Sequence, residues 1–258
     1  MKPKKSLGQN FLTSIPAKLA IIKAGEIKKG DTILEIGPGK GSLTEELLKT
    51  GEKIIAIEKD GELIDFLNEE FSKEIKSGQL TILNEDILKL ETKNLKLKTY
   101  KIIANIPYYI TGAIIEKFLT EEKQPEMMVL LVQKEVAERI TTKDDKESIL
   151  SLSVKAYGDP RIVYRVNKGS FHPIPKVDSA VLSIKNISRN NFINQIHEEK
   201  FFKIVKKGFS HKRKLLVSNL QELNTKEYWL KILEENKINK NIRSEDIKLH
   251  DWLKISNC

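Results

Sequence analysis

From Thr32 onward the chain alternates short, continuous apolar runs with segments whose apolar residues return every three or four positions. TILEI (32–36), KIIAIE (53–58), LTIL (80–83), KIIAN (101–105) and EMMVLLVQ (126–133) have the length and composition of buried strands. Between them SLTEELLKT (42–50), GELIDFLNEEFSKEI (61–75) and TGAIIEKFLTEE (111–122) carry the helical period. Such strand–helix–strand alternation predicts an α/β fold, a mostly parallel sheet with helices on both faces. Upstream, SIPAKLAIIKAGE (14–26) reads as a helix capped by Ser14, with Pro16 in its first turn. Downstream, RIVYRV (161–166) and SAVLSI (179–184) read as strands flanking the proline-rich connection FHPIPKVD (171–178). Beyond Ile187 the strand signal ends, and short amphipathic helical stretches follow with Trp229 and Trp252 as core anchors. The pattern predicts a sheet domain over 1–187 and a small all-helical domain over 188–258.

Composition narrows the class. Of 258 residues, 40% are hydrophobic, enough for a proper core, and neither an internal repeat nor a low-complexity tract interrupts them. A formal charge of +9 makes a polyanion the first partner class to consider. That charge gathers in the start MKPKKSLGQNFL and in KFFKIVKKGFSHKRK (200–214), where acids are absent. In the second run Lys203, Lys206, Lys207, Lys212, Arg213 and Lys214 alternate with Phe201, Phe202, Ile204, Val205 and Phe209, as on a helix with one buried side. One cysteine, Cys258, excludes a disulfide framework, and His172, His197, His211 and His250 stand at no metal-ligand spacing, so no metal is expected. No apolar stretch approaches the roughly 20 residues needed to span a membrane, and the start lacks a signal-peptide run. The expectation is a soluble, cytoplasmic monomer.

Candidate chemistry sits at the ends of the predicted strands. TILEI runs into GPGKG, placing Gly37, Gly39 and Gly41 where a backbone can approach a ligand closely, with Glu35 just before them. Glu58 closes the next strand, where an acid accepts hydrogen bonds from ribose hydroxyls, and Asp86 follows LTIL. A dinucleotide site would show G-x-G-x-x-G and a pyrophosphate cradle; here the third glycine comes one residue early. So many acids suit a ligand carrying an ammonium and a sulfonium, which favours S-adenosylmethionine over NAD. The fourth strand ends in NIPYY (105–109), which is turn chemistry on its face. Adenine's exocyclic amine, however, is a poor nucleophile because its lone pair is delocalised into the ring. Two acceptors aimed at its hydrogens, the Asn105 side-chain carbonyl and the Ile106 main chain, would localise that pair. Pro107 would fix their direction and Tyr108 would offer a face on which an extruded base stacks.

The segments SLGQNFL, LEIGPGKGSLTEELL, NIPYYI, LVQKEVAERI and FHPIPKVDSAVL, in that order and on through FSHKRKLLVSNL, resemble the KsgA family of ribosomal RNA adenine dimethyltransferases. The resemblance implies a Rossmann-like methyltransferase sheet with a small helical C-terminal domain, S-adenosylmethionine as donor and small-subunit ribosomal RNA as partner. It implies dimethylation of two adjacent adenines near the 3′ end of that RNA, and a role in subunit assembly. Carried onto matching positions, it assigns cofactor contacts to Asn10, Leu12, Gly37, Glu58, Asp86 and Asn105, and makes GQNF a strap over the methionine end. It also promotes Phe171 from a core aromatic to a second stacking face opposite Tyr108. Glu35 is left between a role facing the methionine ammonium and a solvated one, and His172 reads as a loop residue. Two departures, Ile174 within the proline run and Tyr109 after the first tyrosine, touch only base positioning. The enzymatic alternative is a large-subunit adenine methyltransferase of the macrolide-resistance type; the non-enzymatic one is an assembly or transcription factor on the same fold.

Overall fold

The computed structural model describes residues 4, 8–95, 97–142 and 145–257; Ser6 and Leu7 of the basic start, and Cys258, lie outside the described residues. By internal packing the chain divides into Met1–Ala137 with Asp159–Ile187, and Glu138–Gly158 with Ser188–Cys258. The helical unit therefore includes an excursion that the sequence pattern assigned to the sheet domain.

The first unit opens with β1 (Phe11–Leu12), α1 (Ile15–Ala24), β2 (Thr32–Ile36), α2 (Ser42–Leu48), β3 (Lys53–Glu58), α3 (Gly61–Glu70), α4 (Ser72–Lys76) and β4 (Leu80–Asn84). It continues with β5 (Lys101–Asn105), α5 (Thr111–Thr120), β6 (Met127–Gln133) and α6 (Lys134–Ile140), within which the division falls. After α7 (Ile149–Lys155), which belongs to the second unit, come β7 (Asp159–Val166), β8 (Phe171–His172) and β9 (Ser179–Lys185). Seven strands form one sheet in the order β4-β3-β2-β5-β6-β9-β7. Only β9 runs against the rest, pairing antiparallel with β6 on one side and β7 on the other. Ile33, Leu34, Ile54, Ile102, Ile103 and the run Met128–Val132 are buried, which is why these strands read as unbroken apolar runs.

Chain order reverses at β2: β3 and β4 are added on one side, and β5 returns to the other. The crevice between the carboxyl ends of β2 and β5 is thus the switch point at which such sheets hold ligands. β1 and β8 make a separate antiparallel pair, Phe11 opposite His172 and Leu12 opposite Phe171, inside segments whose sequence predicts an arm and a connection.

Ser14 caps α1, its side chain accepting from the Ala17 amide at 3.4 Å. The single helix expected over 61–75 is broken at Phe71, whose backbone (φ −106°, ψ 28°) leaves helical geometry. Its buried ring fills the space in which a Cβ on Gly41 would stand, 2.3 Å away, and so packs α3 against the start of α2. No helix among the described residues is long and apolar enough to cross a membrane.

The second unit adds α8 (Gln195–Gly208), α9 (Leu216–Leu220), α10 (Lys226–Glu235) and α11 (Leu249–Ser256) to α7. Asn194 caps α8 by accepting from the His197 amide at 2.9 Å. Phe201, Ile204 and Val205 are buried, while Lys203 and Lys206 are exposed on the opposite side of α8. Trp229 and Trp252 are both buried, the first donating its indole N–H to the Leu220 carbonyl at 2.8 Å. His197 is a satisfied core histidine, 2.9 Å from the Ser256 hydroxyl. Phe201 packs edge-on against Phe192 and Phe202 at 5.5 and 5.0 Å between ring centroids. Phe201→Ala should therefore lower the unfolding free energy by about 3–5 kcal/mol, read as a shift of the urea midpoint.

Candidate active site

Register levels the strand ends. Ile36 of β2 lies opposite Ile57 of β3, and Glu58 lies opposite Asn84 of β4. β2 leaves the sheet through Gly37 and Gly39, whose φ values of 66° and 61° are left-handed and favour glycine. A Cβ on Gly37 would stand 3.9 Å from Pro107 Cδ and 4.0 Å from the Asn105 carbonyl oxygen. One on Gly39 would meet the Phe11 ring at 2.9 Å. The glycine bend and the NIPYY tip therefore face each other across one cleft. Asn10, Leu12, Gly37, Glu58, Asp86, Asn105, Ile106, Pro107 and Tyr108 all line it, together with Glu35, Lys40, Lys59 and Tyr109.

Of the acids lining this cleft, Glu35, Glu58 and Asp86 are each held differently. Glu35 is 1% exposed and accepts the Thr44 hydroxyl at 2.7 Å. Burial pushes its carboxyl up to about 8; the Thr44 bond opposes that rise and the neighbouring Glu58 charge adds to it. Glu58 accepts the Asp60 amide at 2.9 Å on one oxygen and the Gly39 amide at 3.2 Å on the other. Burial raises its carboxyl too, against the pull of those amides. Asp86 pairs with Lys59 at 3.0 Å and accepts the Leu88 amide at 3.1 Å; the Lys59 bond keeps it below the ordinary carboxylate range. Among the described residues no three His, Cys, Asp or Glu side chains are grouped as a metal site would need.

At the tip, the Asn105 side-chain N–H donates to the Asn10 main-chain carbonyl at 3.2 Å. With its nitrogen engaged there, the side-chain carbonyl is the end left to accept. Ile106 is buried, so its main chain carries whatever it offers the cleft. Pro107 (φ −60°) leads into a single tight turn, Tyr108–Ile110. Tyr108 is half-buried, its hydroxyl 2.6 Å from the Ser179 hydroxyl, and burial pushes the phenol above its ordinary value. Tyr109 is 63% exposed at the rim, where a Cβ on Gly8 would lie 3.1 Å from its ring. Phe171 is not brought to the cleft. It is 2% exposed and lies in the apolar core with Leu12, its partner across the β1–β8 pair. Turned inward on β8, its ring has no open face in this arrangement, unlike the stacking role the family likeness implied. His172 is exposed.

The segment from Gly8 to Leu12 crosses the glycine bend. Gln9 donates to one Asp60 oxygen at 2.9 Å and Lys4 to the other at 2.7 Å, while Leu12 accepts the Ser42 hydroxyl at 2.8 Å. Asp60 also caps α3 by accepting the Glu62 amide at 3.2 Å. Burial opposes ionisation of Asp60, but Lys4 and Gln9 outweigh it and hold the carboxyl below its ordinary range. Lys40 Nζ stands over the Phe11 ring, 5.3 Å from its centre. Asp60, Thr44, Lys59 and Ser179 were not singled out from sequence. Of these only Asp60 carries a local signal, a helix cap directly after the strand-end Glu58.

A family model described as "Ribosomal RNA adenine dimethylase" matches residues 1–258. A relative from Dehalococcoides mccartyi strain CBDB1, named "Ribosomal RNA small subunit methyltransferase A", is 39% identical over 99% of this chain and 88% of its own. A dimethyladenosine transferase structure from Plasmodium falciparum superposes with a TM-score of 0.81 at 27% identity, covering 95% of each chain. The 23S rRNA methyltransferase ErmE superposes with a TM-score of 0.78 over 96% of this chain and 98% of that one. At 23% identity ErmE shares the fold alone.

The Glu35 carboxyl gives a test that needs no ligand. With its value raised in the folded state, folding retains a proton there between pH 4.5, the ordinary glutamate value, and about 8. The unfolded chain releases that proton, so stability falls as pH rises through this window and levels off above it. Measured by urea unfolding from pH 5 to 9, wild type should lose stability relative to Glu35→Gln, with a slope of at most about 1.4 kcal/mol per pH unit. Parallel curves would show that Glu35 is ionised in the free protein.

Proposed function

We propose, because this chain belongs to the ribosomal RNA adenine dimethylase family, that it methylates the exocyclic N6 of two adjacent adenines near the 3′ end of small-subunit rRNA, twice each. The single observation that carries the reading is the shared cleft, with the glycine bend one van der Waals contact from the NIPYY tip. The residues present fit S-adenosylmethionine, which supplies an electrophilic methyl group on a sulfonium. Gly37 and Gly39 leave the backbone open where side chains would intrude. Each Glu58 oxygen accepts one backbone amide and keeps a lone pair for a ribose hydroxyl. Asp86, fixed by Lys59, accepts further along the edge, and Asn10 and Leu12 cover the bend. Glu35, at the inner end, is where a ligand ammonium would favour the ionised carboxylate.

For the target, the free Asn105 carbonyl and the Ile106 main chain accept the two amine hydrogens, and Tyr108 stacks on the extruded base. The amine nitrogen would take the methyl group as the sulfonium S–C bond breaks to leave a neutral thioether, and would then release a proton to water, so no strong base is required. Every group named lies in the first unit, so one chain suffices. In the second unit Lys203, Lys206, Lys212, Arg213 and Lys214 are exposed and Lys207 pairs with Glu222. This is a surface for phosphates, giving affinity rather than sequence choice. The reading puts the protein on assembling small subunits in the cytoplasm.

Incubation of purified protein with labelled S-adenosylmethionine and under-methylated small subunits should label the adenines near the 3′ end. Label appearing on large subunits instead would favour the macrolide-resistance chemistry, and tight subunit binding without label would favour an assembly factor. Asn105→Ala should lower the transfer rate on the order of 100-fold while changing donor affinity only a few-fold. Equal losses in rate and affinity would remove the amide from base positioning. Replacing Lys212, Arg213 and Lys214 by alanine should weaken RNA binding and reduce its log–log salt slope by about 1 for each phosphate no longer neutralised. Donor binding should be unchanged.

A further inference from the structure

Tyr108 is held at both ends. Its backbone follows Pro107, fixed at φ −60°, and its hydroxyl lies 2.6 Å from Ser179 Oγ. Ser179 is 0% exposed and is the first residue of β9, opposite Gln133 of β6 and Val166 of β7. Because β9 alone runs against the other six strands, its start, and not its end, arrives at the edge where they finish. The sheet thus delivers a buried hydroxyl directly beneath the NIPYY tip, with ladder pairing on both sides to keep it there. The rest of the strand, AVLSIK, is mostly apolar, so the core itself has no use for an oxygen at this point. Burial also keeps the phenol protonated, able to donate.

We propose that Ser179 is a positioning residue, which anchors the far end of the Tyr108 ring so that it stands in place to receive the extruded adenine face to face. The inference rests on the functional reading above. A tyrosine ring turns about two soft torsions, and stacking requires its plane to be set before the base arrives. Pinning the hydroxyl fixes the direction of the ring axis, which a phenylalanine at the same place would leave free to swing. Ser179 touches neither base nor donor and acts only through Tyr108.

The test is a double-mutant cycle on Tyr108→Phe and Ser179→Ala, with two readouts. One is kcat and KM for methylation of under-methylated small subunits. The other, taken without donor, is the fluorescence anisotropy of 2-aminopurine placed at the target adenine, which reports how firmly the extruded base is held. Each single variant should lower kcat roughly 3- to 10-fold, the worth of one hydrogen bond. Each should lower the probe anisotropy with donor affinity unchanged, and the double variant should be no worse than either. Losses that multiply, or a Ser179→Ala defect alongside wild-type behaviour in Tyr108→Phe, would overturn the proposal. Should Ser179→Ala not fold, Tyr108→Phe deletes the same bond from the other side, and a wild-type rate and anisotropy in it would overturn the proposal alone. Wild-type protein that neither methylates adenine nor holds the probe would overturn the functional reading beneath it.

Discussion

Two parallel strands, β2 and β5, are hydrogen-bonded neighbours that were laid down on opposite sides of the switch in chain order. Their carboxyl ends therefore emerge side by side with no connecting loop between them. At that point one backbone turns through Gly37 and the other through Pro107, and a single added Cβ would already bring the two into contact. Every other feature of the site takes its position from this gap. The acids stand on strands stepping outward from β2, and the aromatic tip stands on β5. A larger residue at Gly37 would have to adopt a disfavoured left-handed backbone and would point at the Asn105 carbonyl.

Charge is sorted in a way the net value conceals. The protein carries +9 overall, yet the cleft is edged by Glu35, Glu58 and Asp86. Lys40 and Lys59 line it too, and Glu35 is pushed up to about 8, so the charge of the cleft is mixed. The means of holding each acid grades its charge. Lys59 keeps Asp86 ionised at the outer end, amides hold Glu58 in place, and buried Glu35 retains its proton most easily.

The sheet was legible because β2, β3, β5 and β6 are buried on both faces and the edge strand β4 is still a short apolar run: five of the expected runs match β2 to β6 to within a residue at each end. The break at Phe71 was not, since it comes from packing against Gly41, a glycine some thirty residues earlier that no helical period registers. The excursion 138–158 was also missed; α6 and α7 are amphipathic, but their membership of the second unit is a tertiary fact. At the site, residues with a chemical signature were visible: the glycine bend, Glu58, Asp86 and the NIPYY tip. Their partners were not. Thr44, Lys59 and Ser179 are ordinary in sequence and acquire meaning only through the groups they reach. Phe171 shows the opposite case, a residue with a conspicuous motif whose ring is turned into the core.

Asn105 joins the two sides of the cleft, because an amide has two unlike ends. Its nitrogen is held by the Asn10 carbonyl on the segment crossing the glycine bend, and that segment is in turn fastened at Asp60 by Gln9 and Lys4. Without that partner the two unlike ends of the amide could exchange places. With it, the nitrogen end is turned toward Asn10 and the carbonyl away from it. The segment that crosses the glycine bend and the amide at the NIPYY tip are therefore joined by a single hydrogen bond of 3.2 Å. A cleft built this way has its tip amide oriented by the segment that crosses the glycine bend.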